Sequence, residues 1–169
     1  MKKSLEDKWF WLSLIILSAY FVLRVIDQSK ILWTFPIDYT NDYASHIAKI
    51  FFLDKCGLFN TCPYWYNGID IFSNYPPGFF LFAFPIYYIT KNLLYTTFIA
   101  DLLIFLIGLL TINYFGKKFS ISLAKRLAFF ALFWFNAASI GNYIRLGRLP
   151  EMFSWVNFTA FAFLMIYFI

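Results

Sequence analysis

Charge is what this sequence has least of. Only 14% of its 169 residues are Asp, Glu, Lys or Arg, against 62% hydrophobic residues. An average soluble chain carries about 25% charged and roughly 45–50% apolar residues. Nine acidic and fourteen basic groups cannot clothe this much apolar mass in water, so a soluble domain of ordinary size is excluded. Two cysteines exclude a disulfide-dense scaffold, and seven glycines and six prolines exclude a collagen-like or low-complexity chain. Disorder is excluded by the same apolar excess. The net charge of +5 forms no stripe on a polar domain, so no nucleic-acid partner is expected. What is abundant is aromatic and aliphatic mass: 24 Phe, 12 Tyr and 6 Trp. That composition belongs to an integral membrane protein whose partner is the lipid bilayer.

The apolar runs give an all-α, polytopic transmembrane helical bundle that forms one membrane module over residues 1–169. Spans are expected at about 9–27, 93–115, 127–144 and 152–169. The apolar piece Gly78–Thr90 contains Pro85. It would reach only about 20 Å as a helix, too short for a hydrocarbon core about 30 Å thick, so it is expected at the interface. Basic residues test this assignment. With Gly78–Thr90 outside the bilayer, Lys2, Lys3, Lys8, Lys117, Lys118, Lys125 and Arg126 gather on one face, within segments 1–8 and 116–126. Counting Gly78–Thr90 as a span erases the bias. The positive-inside rule then puts the N-terminus in the cytoplasm of a multi-pass plasma-membrane protein, with loop 28–92 and the Gly141–Glu151 loop outside. The first span reads as an uncleaved anchor, because Arg24 and Asp27 close it without a small-residue cleavage site. The run ending at Ile169 has no polar tail, which suggests an N-terminal piece of a longer chain.

Loop 28–92 is too patterned for a plain connector. Pro36 disfavours helix before it, and Thr40 or Asn41 can cap a helix over about 42–54. Tyr43, Ile47, Ile50 and Phe51 take its apolar face, and Asp42, His46 and Lys49 share the opposite one. Asp42 at a helix start, with Asp38 upstream, suits a dipole-stabilising cap, a general base or a metal ligand. His46, the single histidine, can ligate a metal, relay a proton or pair with Asp42 one turn away; spacing favours the pair. Trp65, Tyr66 and Tyr75 either form an interface belt or stack on a sugar. Asn67-Gly68 signals a turn, and Tyr75-Pro76-Pro77-Gly78 a helix start. Cys56 and Cys62 are spaced for a disulfide in an oxidising compartment, and as a lone pair they are a poor zinc signal.

Arg145, Arg148 and Glu151 sit at the mouth of the last two spans. They are either snorkelling anchors or a phosphate clamp. The topology places them on the face that carries Asp38, Asp42 and His46. Asp101 lies about 12 Å inside its span, and Arg24 is expected to pair with it.

The order Asn41-Asp42-Tyr43-Ala44-Ser45-His46-Ile47, Trp65-Tyr66-Asn67-Gly68, Tyr75-Pro76-Pro77-Gly78 and Gly147-Arg148-Leu149-Pro150-Glu151 resembles a known family. It looks like the N-terminal part of the membrane proteins labelled "6-pyruvoyl-tetrahydropterin synthase related", which are grouped with the glycosyltransferases of GT-C fold. The resemblance runs from about residue 9 to 169. It implies a catalytic Asp on the first outer loop, two juxtamembrane helices, and sugar transfer from a polyprenyl-phosphate donor on the extracytoplasmic side. Asp42 matches the family's acid before its His, His46 that His, and Glu151 the acid after Gly-Arg-Leu-Pro. Such enzymes have many more spans, which is where this chain departs from them. The mechanism implied has Asp42, helped by Asp38, deprotonating an acceptor hydroxyl while Arg145 and Arg148 hold the leaving phosphate. Trp65 and Tyr75 would contact the sugar, and a divalent cation (Mg or Mn) would be held by His46 and Glu151. The rivals are a non-enzymatic polytopic protein, such as a transporter or lipid-handling subunit, and an inactive fragment.

Overall fold

The computed structural model describes residues 2–34, 42–65 and 67–169, with side chains from Lys8 onward. Asp38 and the capping residues Thr40 and Asn41 lie outside the described residues, as does Tyr66.

The architecture is all-α. Helix α1 (Lys2–Gln28) runs into a 3-10 turn (Ser29–Leu32). Then follow α2 (Tyr43–Cys56), the single turn α3 (Ile71–Asn74), α4 (Gly78–Thr90) and α5 (Leu93–Lys118). The chain ends with α6 (Leu123–Trp134), the short α7 (Ala137–Ser139), a π-turn (Ile140–Arg145) and α8 (Leu149–Phe168). Three segments are long and apolar enough to cross a membrane: Lys8–Leu32, Leu93–Lys118 and Leu149–Phe168. Their outer faces suit lipid. On α1, for example, Ile15, Ile16, Leu23 and Ile26 are more than half exposed. In water, so many apolar side chains on one helix face would be a liability; in a bilayer they are the solvent contact.

α5 is the central post. Ala100, Ile104, Phe105, Gly108 and Ile112 are buried along it, and α4, α6 and α8 pack around it. Small residues set the spacing. Gly108 lets the Trp134 indole of α6 approach to where a Cβ would sit 3.1 Å from it. At the other end Arg126 folds over Gly116 and donates to the Asn113 carbonyl (2.9 Å) and side chain (2.6 Å). Asn92 starts α5 by accepting from the free amides of Leu94 and Tyr95. α4 keeps the bounds Gly78–Thr90 and is a short apolar helix packed on α2, α5 and α8.

The span expected at 127–144 is not one helix. It breaks after Trp134, and the pieces Leu123–Trp134 and Ala137–Arg145 meet at 46°. Asn136 makes the break tolerable. Its side-chain amide donates to the Leu132 and Phe133 carbonyls that end α6, and its oxygen accepts from the Ser139 amide that begins α7. One side chain thus satisfies both helix ends where no water is at hand.

Loop 28–92 is anchored at its middle. Cys56 and Cys62 form a disulfide, with Cα atoms 5.3 Å apart. Cys62 and Ile69 exchange backbone hydrogen bonds across the Asn67-Gly68 turn, whose residues take positive φ. This isolated bridge is the only extended pairing among the described residues.

The Gly141–Glu151 loop is fixed by Gly147. Its φ is +72°, and a Cβ there would lie 2.3 Å from the buried ring of Tyr43. Gly147→Ala is therefore expected to destabilise the protein by about 2–4 kcal/mol, strain and overpacking together. Gly141→Ala, whose Cβ would meet nothing within 4 Å, should stay within about 0.5 kcal/mol of wild type. Tryptophan-monitored melting in detergent micelles compares the two, and similar melting temperatures would contradict the close packing at Gly147.

Candidate functional site

The site begins where loop 28–92 touches the Gly141–Glu151 loop. The Asp42 amide donates to the Leu146 carbonyl at 3.0 Å, so the chain entering α2 is stitched to the chain entering α8. Two residues later Arg148 leaves this junction as the residue preceding α8, and its amide donates to the Asn142 carbonyl at 3.1 Å. Pro150 follows in the first turn of α8, where a missing amide hydrogen costs little.

Arg148 lies between two carboxylates. Its Nε is 3.9 Å from Asp42 Oδ2, and one terminal nitrogen is 3.6 Å from Glu151 Oε2. All three side chains are about half exposed. Pairs so exposed contribute about 0–1 kcal/mol, too little to explain the cluster as a stability device. The structure thus brings together Asp42, Arg148 and Glu151, from segments more than one hundred residues apart. Asp42 precedes α2, yet its side chain caps no amide there. It turns to Arg148 instead.

One turn along α2 is a groove of about 210 Å³. Trp65 and Tyr75 line it together with Ser45, Lys49 and Asn74, above the apolar floor of Phe52 and Ile71. Lys49 donates to the Ser45 hydroxyl and lies over the Tyr75 ring, 4.5 Å from its centre. Burial lowers the Lys49 pKa, and the charge of Asp42 opposes that shift. Burial raises that of Tyr75, and Asp42 adds to it. Asp42 is thus near enough to act on both groove residues. Ser45 and Asn74 were not singled out from the sequence; the Ser45–Lys49 spacing of one helical turn was the available signal.

His46 is not where the sequence pattern put it. It is 4% exposed and lies among the rings of Tyr75, Phe79 and Phe80, with centroids 6.0–6.4 Å away. Its Nδ1 has no hydrogen-bond partner, and it does not pair with Asp42. The expectation failed because α2 rests on α4 as well as α5, so the supposed polar face is also packed. Burial, aided by the Lys49 charge, lowers the His46 pKa to about 4. The pair His46 and Glu151 fits a metal poorly. One is enclosed by aromatic rings and the other turned to Arg148, and no three His, Cys, Asp or Glu side chains converge among the described residues.

Arg145 is separated from Arg148. It lines a second cleft, of about 450 Å³, with Tyr20, Arg24, Asp27 and Gln28 of α1. The expected Arg24–Asp101 pair is absent. Arg24 is half exposed and 3.9 Å from Asp27, its neighbour one turn on, whereas Asp101 is fully buried beside Gln28. Keeping a guanidinium at the surface avoids the large desolvation penalty of bringing it to Asp101. Neither the Gln28 amide nor the Asp101 carboxyl makes a hydrogen bond of ordinary geometry.

These features define a helical membrane protein with a polar cluster and an aromatic groove at one end. The chain matches no family profile, no curated protein and no solved structure.

The His46 pKa fixes a pH dependence. Above pH 6.5 the ring is neutral in the folded and unfolded states alike. Between 6.5 and about 4 only the unfolded chain binds the proton. Stability therefore falls as pH falls through that window, by about 3 kcal/mol at its lower end. His46→Phe should remove this slope from melting curves recorded at a series of pH values. An unchanged slope, or an imidazole resonance titrating near 6.5, would show that the ring is open to water.

Proposed function

We propose that this chain is a GT-C-like membrane glycosyltransferase that moves a sugar from a polyprenyl-phosphate donor to an acceptor on the extracytoplasmic face. The observation that carries the reading is Asp42 beside Arg148, 3.9 Å apart, at the joint of the two outer loops. A carboxylate next to a guanidinium suits removal of a proton from an acceptor hydroxyl while the neighbouring cation steadies a departing phosphate. The groove with Trp65 and Tyr75 lies beside Asp42 and offers flat faces to a sugar ring. Lys49, Ser45 and Asn74 add polar groups able to meet its hydroxyls. The Cys56–Cys62 disulfide suits an oxidising compartment and so an outward-facing loop. The basic residues Lys117, Lys118, Lys125 and Arg126 at the opposite end suit a cytoplasmic face and a cytoplasmic N-terminus.

In this mechanism Asp42 accepts the acceptor's hydroxyl proton as the oxygen attacks the anomeric carbon, and the lipid phosphate departs with the bonding electrons. Glu151 holds the Arg148 guanidinium in place. Of the two arginines, only Arg148 lies beside Asp42. No step requires a cation bound to His46.

A second reading, a transporter or lipid-handling subunit, is favoured by one observation: the buried Asp101–Gln28 contact next to the second cleft. Asp42→Asn separates the two. In membranes containing the full chain, it should lower transfer from a polyprenyl-phosphate sugar by about a hundredfold or more. Expression and melting temperature should remain unchanged. Undiminished transfer would remove Asp42 from the chemistry, and absence of transfer in the wild type would favour the second reading.

A further inference from the structure

The cleft containing Arg145 is not used by the proposed reaction. It lies between the far end of α1 and the π-turn, and its lining includes Arg24, Gln28, Gly141 and Arg145. Three observations bear on what it takes.

The first is charge. Asp27 is shared by Arg24 and Lys30, at 3.9 and 2.5 Å, and Arg145 makes no ion pair with any described residue. Of the charged groups lining the cleft, Arg24 and Arg145 are cations and Asp27 is the one carboxylate, so the lining carries a net positive charge. Arg24 is held at its edge by the Tyr20 ring, 5.7 Å away. The second is an unsatisfied group. Gln28 is 1% exposed, lines the cleft beside Asp101, and leaves both amide atoms without a hydrogen bond of ordinary geometry. A buried amide in that state asks for a polar ligand. The third is height. Arg24 is 16 residues beyond Lys8, about 24 Å along α1, near the outer edge of a hydrocarbon core about 30 Å thick. Tyr20 and Ile16, one and two turns nearer the middle of the span on the same helix face, are 45% and 59% exposed.

We infer that this cleft binds the phosphate headgroup of an anionic phospholipid, with Arg24 and Arg145 on the phosphate, Gln28 toward the headgroup's polar atoms, and the acyl chains running inward along Tyr20 and Ile16. Arginine forks suit phosphate oxygens, and the adjacent apolar ridge distinguishes a lipid from a free anion. The inference stands apart from the transferase reading, since Asp42, Arg148 and Glu151 take no part in it.

The test uses the full chain in nanodiscs of phosphatidylcholine with a minor fraction of phosphatidylglycerol. Native mass spectrometry then counts the lipids that stay bound. Phosphatidylglycerol should be enriched at least tenfold over its bilayer fraction, near one copy per chain. Two variants should lose the enrichment. One is R24Q/R145Q, which removes the charge. The other is Gly141→Leu, which fills the cleft at a position whose Cβ meets nothing within 4 Å. K117Q/K118Q, at the other end of α5, should keep it. Melting temperatures verify that each variant is folded, and should the charge variant fail, the cleft-filling one decides alone. Enrichment that survives Gly141→Leu overturns the inference. So does inorganic phosphate stabilising the wild type as much as the lipid does.

Discussion

The backbone of Gly147 lying on the ring of Tyr43 is the contact on which this end of the molecule depends. Tyr43 is fully buried at the start of α2, and the glycine occupies the space where any Cβ would collide with it. Because the loop can come that close, the Leu146 carbonyl reaches the Asp42 amide, and Arg148 arrives between Asp42 and Glu151. Without the close approach these residues would remain on separate loops. An exposed ion cluster has no strength of its own to draw two loops together. Packing assembles the cluster; the charges only occupy the position that packing provides.

The same division holds in the span interiors. Polar groups there are either satisfied locally or made part of a close helix contact. Thr96 and Thr97 donate to carbonyls one turn back on α5. Asn136 serves both ends of a broken helix and so permits a 46° bend where an uncapped break would leave carbonyls exposed to lipid. Gln28 and Asp101 are the exception, buried side by side without hydrogen bonds of ordinary geometry. An arrangement of that kind is costly in a low-dielectric interior, and its place beside the Arg145 cleft sets it apart from the purely structural polar groups.

Much of this was legible in the sequence, for identifiable reasons. α4 keeps the bounds Gly78–Thr90 because Pro76-Pro77 and Lys91-Asn92 punctuate it on both sides. α5 begins at Leu93 because Asn92 caps it. Runs of apolar residues locate helices well in a chain of this composition, since little else competes with them. The failures share a different cause. The face of His46 was read as polar from its neighbours' identities, but a helix packed on two others has little free surface, and which side is packed is a tertiary matter. Arg24 and Asp101 were paired by depth, which says nothing about azimuth around the helix axis. The break at Asn136 does carry a signal: an Asn, a residue type that caps helix starts, standing within an apolar run.

Arg145 and Arg148 show how far three residues can separate two side chains. On an unbroken helix they would be neighbours on one face and would read as a single clamp. Here Arg145 closes the π-turn, Gly147 reverses the chain through a positive φ, and Arg148 precedes the next helix. One guanidinium faces α1 and Gln28, the other faces Asp42 and Glu151. A side chain at position 147 would do more than loosen the fold. It would remove the turn that keeps the two cations apart, and with it the separation of the Asp42–Arg148–Glu151 cluster from the Arg145 cleft. The identity of one glycine therefore decides how many sites the loop can serve.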